Sequence, residues 1–196
     1  MNTNTEKAQL STKACFWFIG FSLLLVVLDQ WTKFEIVQRF EYGERLVVTS
    51  YFDLYYLRNY GAAFSFLSDA GGWQKPFFIS LSAIVCTGII IWFFRFAKKD
   101  QKILALALSL VMAGALGNVI DRINYGYVVD FLSFHYQPFG QIPLLKFLFP
   151  NGRYPAFNVA DMAIFCGAIF LLIDWWQEVK KEKALAAMKP SVPDES

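Results

Sequence analysis

From Pro76 to Phe94 the chain runs nineteen residues without a charge. A helix needs about 20 mainly apolar residues to cross the hydrocarbon of a bilayer, and it is one of the few structures that pairs its own backbone groups there. A second uncharged run, Ile103–Ile120, has eighteen residues. Two shorter ones, Ala14–Leu28 with fifteen and Met162–Ile173 with twelve, reach spanning length only if their helices continue through an aspartate: Asp29 after the first, Asp161 before the last. A soluble bundle could bury the short runs, but nineteen uncharged residues make that the weaker case. The expected fold is an integral membrane, mainly α protein, a bundle of four transmembrane helices.

Composition agrees. Hydrophobic residues make up 56% of the 196 and charged ones 17%, against about 25% charged in soluble domains. The net charge of +2 is too small for a nucleic-acid footprint. Cys15, Cys86 and Cys166 lie in apolar runs, and His135 is the one histidine; neither a disulfide framework nor a Cys/His zinc site is expected, and no cofactor is implied. The first run follows Lys7 and Lys13 as a secretory signal would, but it ends in Leu28-Asp29-Gln30-Trp31, without a small-x-small cleavage site. It reads as a retained helix.

One membrane domain, residues 1–196, is therefore expected, with helices over about 14–33, 76–96, 103–122 and 155–176. An outer β-rich segment covers about 44–66, an outer loop about 123–154, and a charged, solvated tail 177–196. Lys and Arg set the orientation: ten fall in the 41 residues of the N-terminus, the loop Arg95–Lys102 and the tail, and eight in the 80 residues of the other two connections. Positive charge marks the cytoplasmic side, so both termini are expected inside and the long connections outside. Of these, Arg45-Leu-Val-Val-Thr and Tyr51–Arg58 are β-branched and aromatic, and predict a small sheet on the bilayer surface. Tyr60–Phe64 reads as a close-packed turn.

With this topology every intramembrane polar residue falls at the outer leaflet. Such residues are costly and mark functional sites by default. Asn118, Asp121 and Arg122, spaced i, i+3 and i+4, share one helix face; an Asp121–Arg122 ion pair acting as a clamp is the favoured reading of that pair. Asn158 and Asp161 have two readings of equal weight, a structural cap and a functional site. Either they cap the fourth helix, or the helix begins at Pro155 and Asp161 lies roughly 9 Å along it at 1.5 Å per residue; the shortness of the apolar run favours the second start. Asp130, in Tyr127-Val-Val-Asp-Phe-Leu132, is either desolvated, with a raised pKa, or faces water from a surface strand. Asp29 reads as structural, capping or orienting the outer end of the first helix, with Lys33 one turn on as its partner.

Two carboxylates at one site suggest aspartic chemistry, in which an ionised group takes a proton from water while its protonated partner polarises the scissile carbonyl. Nucleophilic triads and zinc lack their parts. At these residues the chain resembles the bacterial lipoprotein signal peptidases, or signal peptidase II. The matching blocks are Leu28-Asp29-Gln30-x-x-Lys33, Asn59-x-Gly61-Ala62-Ala63-Phe64, Gly114-Ala115-Leu116-Gly117-Asn118-x-x-Asp121-Arg122, Val128-Val129-Asp130-Phe131 and Phe157-Asn158-Val159-Ala160-Asp161. Each block alone is weak; five in family order are specific.

The resemblance implies an aspartic endopeptidase that removes signal peptides from diacylglyceryl-modified prolipoproteins, cutting before the lipidated cysteine. It implies Asp130 and Asp161 as the catalytic pair, Asn59, Asn118, Asp121, Arg122 and Asn158 as residues that shape the site or contact substrate, and Asp29 with Lys33 as support. The expected partners are lipidated prolipoproteins and membrane lipid, and the chain is expected to work as a monomer in the bacterial inner membrane. Ser133–Pro155 is longer than the resemblance leads one to expect, and Leu144–Phe149 within it could form an interfacial helix. A proton- or ion-coupled carrier using Asp121, Asp130 and Asp161 is the alternative, disfavoured because its polar groups should sit at the midplane; a non-catalytic scaffold held by polar clamps is a third.

Overall fold

A computed structural model describes residues 8–61, 72–142 and 149–187. Four helices are long and apolar enough to span a bilayer: α1 (Thr12–Arg39), α2 (Gln74–Arg95), α3 (Lys102–Asn124) and α4 (Val159–Ala187). The chain is a multi-pass membrane protein. Large side chains such as Leu24, Ile84, Phe165 and Leu172 stand exposed along the helices, as hydrocarbon rather than water requires.

α3 is the central helix, with 44% of its apolar window buried against 17–22% for the others. Small residues let its neighbours approach, as is usual between membrane helices. A Cβ at Gly114 would meet the Ala160 carbonyl, one at Gly117 would meet the Asp29 carboxylate and Ala160, and one at Gly167 of α4 would meet Val111 and the Ala107 carbonyl. A second packing region joins Cys15, Phe18, Cys86, Ile89, Phe93 and Met112 at the other end of α1, α2 and α3.

Three helix boundaries differ from expectation: the end of α1 and both ends of α4. α1 was expected to end near residue 33 and continues to Arg39, because Asp29 and Lys33 neutralise each other inside the bundle. Asp29 thus lies within α1 instead of capping its end. α4 begins at Val159, not at Pro155. The Asn158 side chain accepts the Asp161 N–H at 2.8 Å, and Asp161 accepts the Asn158 N–H at 3.2 Å. This reciprocal pair is a capping box built with aspartate, so the capping reading describes the geometry. The missing length lies at the other end, where α4 runs through the charged residues to Ala187.

The connections between α1 and α2 and between α3 and α4 fold into one antiparallel sheet in the order β1 (Arg45–Thr49), β2 (Phe52–Asn59), β3 (Val128–Phe134). β3 brings Asp130 opposite Leu57 and Val128 opposite Asn59. Asp130 is buried, which selects desolvation over a water-facing strand. Tyr56, Val129 and Phe131 pack with Ile36 to seat the sheet on the C-terminal end of α1. Beyond β3 the chain turns through short 3-10 segments at Gln137–Gln141 and Pro150–Gly152, and returns beside β3 through bridges joining Leu132 to Phe157 and His135 to Arg153. The expected helix at Leu144–Phe149, Phe149 excepted, and the turn beyond Gly61 lie outside the described residues.

Candidate active site

The site is assembled from five elements. α1 supplies Asp29, Gln30 and Lys33; the end of β2 supplies Asn59; α3 supplies Asn118, Asp121 and Arg122; β3 supplies Asp130; the start of α4 supplies Asn158 and Asp161. All lie at the ends of α1, α3 and α4 that adjoin the sheet, and most are almost fully buried.

Lys33 is the hub of the lower layer. Its ammonium sits 2.9 Å from Asp29, 3.0 Å from Asp121 and 3.1 Å from the Asn118 side-chain oxygen. All three donors of the buried ammonium are therefore used, which is what such a charge requires. Asp29 spends its other oxygen on the Ala160 N–H at 2.8 Å, so it caps α4 rather than α1. Asp121 also accepts the Val129 N–H at 2.9 Å, which holds β3 against α3. The expected Asp121–Arg122 pair is not formed. Arg122 donates instead to the Gly61 carbonyl at 2.8 Å and lies over the Phe78 ring at 4.7 Å; adjacent helical residues point about 100° apart, so Asp121 faces α1 while Arg122 faces α2 and the sheet.

The upper layer holds the two carboxylates. Asp161 accepts from the Asn118 amide at 2.7 Å. Asp130 accepts from Asn59 at 3.0 Å on one oxygen and from Asn158 at 2.8 Å on the other. Asn158 also donates to the Asn118 oxygen at 3.1 Å and the Val129 carbonyl at 3.2 Å. Burial, reinforced by the neighbouring Asp161 charge, pushes the Asp130 pKa up to about 8, against the opposing pull of Asn59, Lys33 and Asn158. Four carboxylates thus share the region with two fixed cations, Lys33 and Arg122. That imbalance disfavours ionising both Asp130 and Asp161.

Every residue singled out in the sequence converges here. Spacing missed Gln30, whose amide reaches Asp121 at 2.9 Å, the Gly117 carbonyl at 3.1 Å and Asp29 at 3.2 Å; its only signal was its place beside Asp29 in a matching block. Also missed was a second polar cluster on the sheet. The fully buried Asp53 carboxylate stands 2.7 Å from Arg45, 3.0 Å from Arg153 and 3.1 Å from His135. Burial opposes its ionisation, but Arg153, Arg45 and His135 together hold its pKa below the ordinary carboxylate value.

Compared with known proteins, residues 21–177 match the model of the family described as Signal peptidase (SPase) II. The chain belongs to the signal peptidase II family. It is 45% identical over 176 residues to the lipoprotein signal peptidase of Cupriavidus pinatubonensis, covering 90% of this chain and 91% of the relative. It is 46% identical over 157 residues to that of Acinetobacter baumannii, covering 80% and 81%. A solved bacterial membrane enzyme structure, determined in meso at 2.3 Å resolution, superposes with a TM-score of 0.72 at 26% identity over 95% of this chain and 99% of that one. A second, at 1.9 Å resolution, gives 0.64 at 27% identity over 87% and 96%. Membership in signal peptidase II makes the chain a membrane-spanning protease of lipoprotein signal-peptide removal.

Proposed function

We propose that the protein cleaves diacylglyceryl-modified prolipoproteins by an aspartic, metal-free and non-covalent mechanism, with Asp130 and Asp161 as the catalytic pair. The observation that carries this reading is the convergence of two carboxylates from β3 and α4 on Asn158, whose side-chain amide donates to Asp130 at 2.8 Å and whose backbone N–H donates to Asp161 at 3.2 Å. Such a pair holds one proton between two groups at neutral pH.

In this reading Asp130 holds the proton that the pair shares, and Asp161 is the ionised base. Asp161 removes a proton from water as the oxygen attacks the peptide carbonyl, and Asp130 gives its proton to the developing oxyanion. On collapse of the tetrahedral species Asp161 gives its proton to the leaving amine, the C–N bond breaks, and the hydroxyl that becomes the new carbonyl returns its proton to Asp130. Asn59, Asn118 and Asn158 orient the two carboxyl groups, Arg122 adds positive charge near the developing anion, and Asp121, Asp29 and Lys33 hold the helices in register.

The concentration of Lys and Arg at the two termini and the Arg95–Lys102 loop supports an orientation with both termini cytoplasmic and the site at the outer leaflet. A site at that depth suits a substrate whose acyl chains stay in the membrane. The protein acts as a monomer in this reading. The test is to incubate the purified protein with diacylglyceryl-modified and unmodified prolipoprotein and to weigh the products. Cleavage before the cysteine of the lipidated form alone supports the reading; equal cleavage of both forms contradicts the lipid requirement.

A further inference from the structure

Asp130 and Asp161 are separated by a long excursion of chain, and its base is stapled shut. Immediately after Asp130, Phe131 and Leu132 both donate their N–H to the Phe157 carbonyl, at 3.0 and 2.8 Å, and Phe157 returns its N–H to Leu132 at 3.1 Å. Tyr154 donates to Phe134 at 2.8 Å and Tyr136 to Gly152 at 2.7 Å. Residues 131–136 and 152–157 thus form a short antiparallel stem. Asp130 precedes one leg of the stem and Asn158 follows the other. Whatever sets the stem therefore bears on the distance between the catalytic strand and the cap of α4.

Hydrogen bonds at the edge of a sheet are exposed to competition from water, and a free stem of so few rungs is marginal. Here each of its two legs carries a side chain, His135 on one and Arg153 on the other, that meets one buried carboxylate. Asp53 lies opposite Ser133 in the β2–β3 register. It binds Arg153 of the returning leg at 3.0 Å, lies 3.1 Å from His135 of the outgoing leg, and binds Arg45 of β1 at 2.7 Å. Phe134 stacks on Phe157 at 5.9 Å and meets Phe52 of β2 at 4.9 Å, which fills the space beside the ionic contacts.

We infer that Asp53, acting chiefly through Arg153, is a positioning residue for cleavage: it locks the stem to the sheet and so fixes Asp130 against Asn158 and Asp161. This rests on the reading of Asp130 and Asp161 as the catalytic pair. The Asp53 carboxylate meets Arg45, His135 and Arg153 rather than Asp130 or Asp161.

The test compares Asp53→Asn, Arg153→Met and Arg153→Lys in the full-length protein, each with a thermal melt, reading kcat, KM and the alkaline limb of the pH–rate profile on lipidated prolipoprotein. The expected result is a kcat lower by about 10- to 100-fold in Asp53→Asn and Arg153→Met, the scale of a misplacement of about 1 Å. KM changes less than about twofold, and the alkaline limb moves to lower pH as the two carboxyls separate. Arg153→Lys, which keeps the charge, recovers most of kcat. An unchanged kcat in folded Asp53→Asn overturns the inference, as does a rise in KM alone, which would place the cluster at a substrate-binding surface. Loss in Arg153→Lys equal to that in Arg153→Met overturns it too, since shape and not charge would then matter. Asp130→Asn is measured alongside: cleavage retained there sinks the catalytic assignment itself, whatever the Asp53 variants do.

Discussion

The amide of Asn158 reaches the Asp130 carboxylate at 2.8 Å while its oxygen caps the Asp161 N–H at the same distance. One side chain therefore ties the strand bearing one carboxylate to the helix bearing the other. The two tasks can be separated by substitution. Serine is a good N-cap but too short to span to Asp130, so Asn158→Ser should keep most of the about 1 kcal/mol that a cap contributes. Its cleavage should nonetheless fall by about 100-fold or more. Asn158→Ala should lose both. Melts and single-turnover cleavage on the two variants check this.

Activity should depend on the proton that burial keeps on Asp130. Its pKa lies near 8, raised above the ordinary carboxylate value, so the acid form persists through neutral pH and is lost as pH rises through about 8. kcat is expected to be level near pH 7 and to fall tenfold per unit well above 8. A profile flat to pH 10, with the protein folded throughout, contradicts the assignment of Asp130 as the acid.

Lys33 pairs with two buried carboxylates at once. Lys33→Met leaves Asp29 and Asp121 uncompensated and should destabilise the protein by about 3–5 kcal/mol. Denaturation in detergent measures the loss. Asp29→Asn should cost less, because the amide oxygen can still accept the Ala160 N–H that Asp29 now caps.

Gly117 is tight against Asp29 and Ala160, so Gly117→Ala should cost about 1–3 kcal/mol through forced displacement of α1 or α4. Gly20 and Gly88 have open space where a Cβ would stand. Alanine at either should leave stability unchanged or raise it by up to about 1 kcal/mol. Thermal midpoints of the three variants decide it.

Much of this arrangement was legible from the chain alone. Uncharged length identified α2 and α3 without help, and the clustering of Asn118, Asp121, Asn158 and Asp161 near helix ends pointed to one end of the bundle. The partners of Asp121 were not legible, because sequence adjacency suggested Arg122 while helical geometry turns the two apart and offers Lys33 of α1 instead. β3 was ambiguous for a related reason. Its residues are buried almost throughout, so the strand shows no alternation of polar and apolar positions, and its pairing with β2 spans about seventy residues of sequence. The start of α4 was misplaced because the shortness of its uncharged run was charged to the outer end, whereas the helix gains its length among the lysines and glutamates of the other. Asp53 gave no signal, since its three partners come from separate parts of the chain.

The most direct test of the central claim is cleavage of a diacylglyceryl-modified prolipoprotein by wild type, Asp130→Asn and Asp161→Asn, each with a matched thermal melt. An aspartic pair predicts cleavage before the lipidated cysteine by wild type and its loss, by about 1,000-fold or more, in both variants while they remain folded. Cleavage undiminished in either folded variant would contradict the assignment; loss of folding in step with loss of cleavage would instead favour carboxylates that serve only as structural clamps.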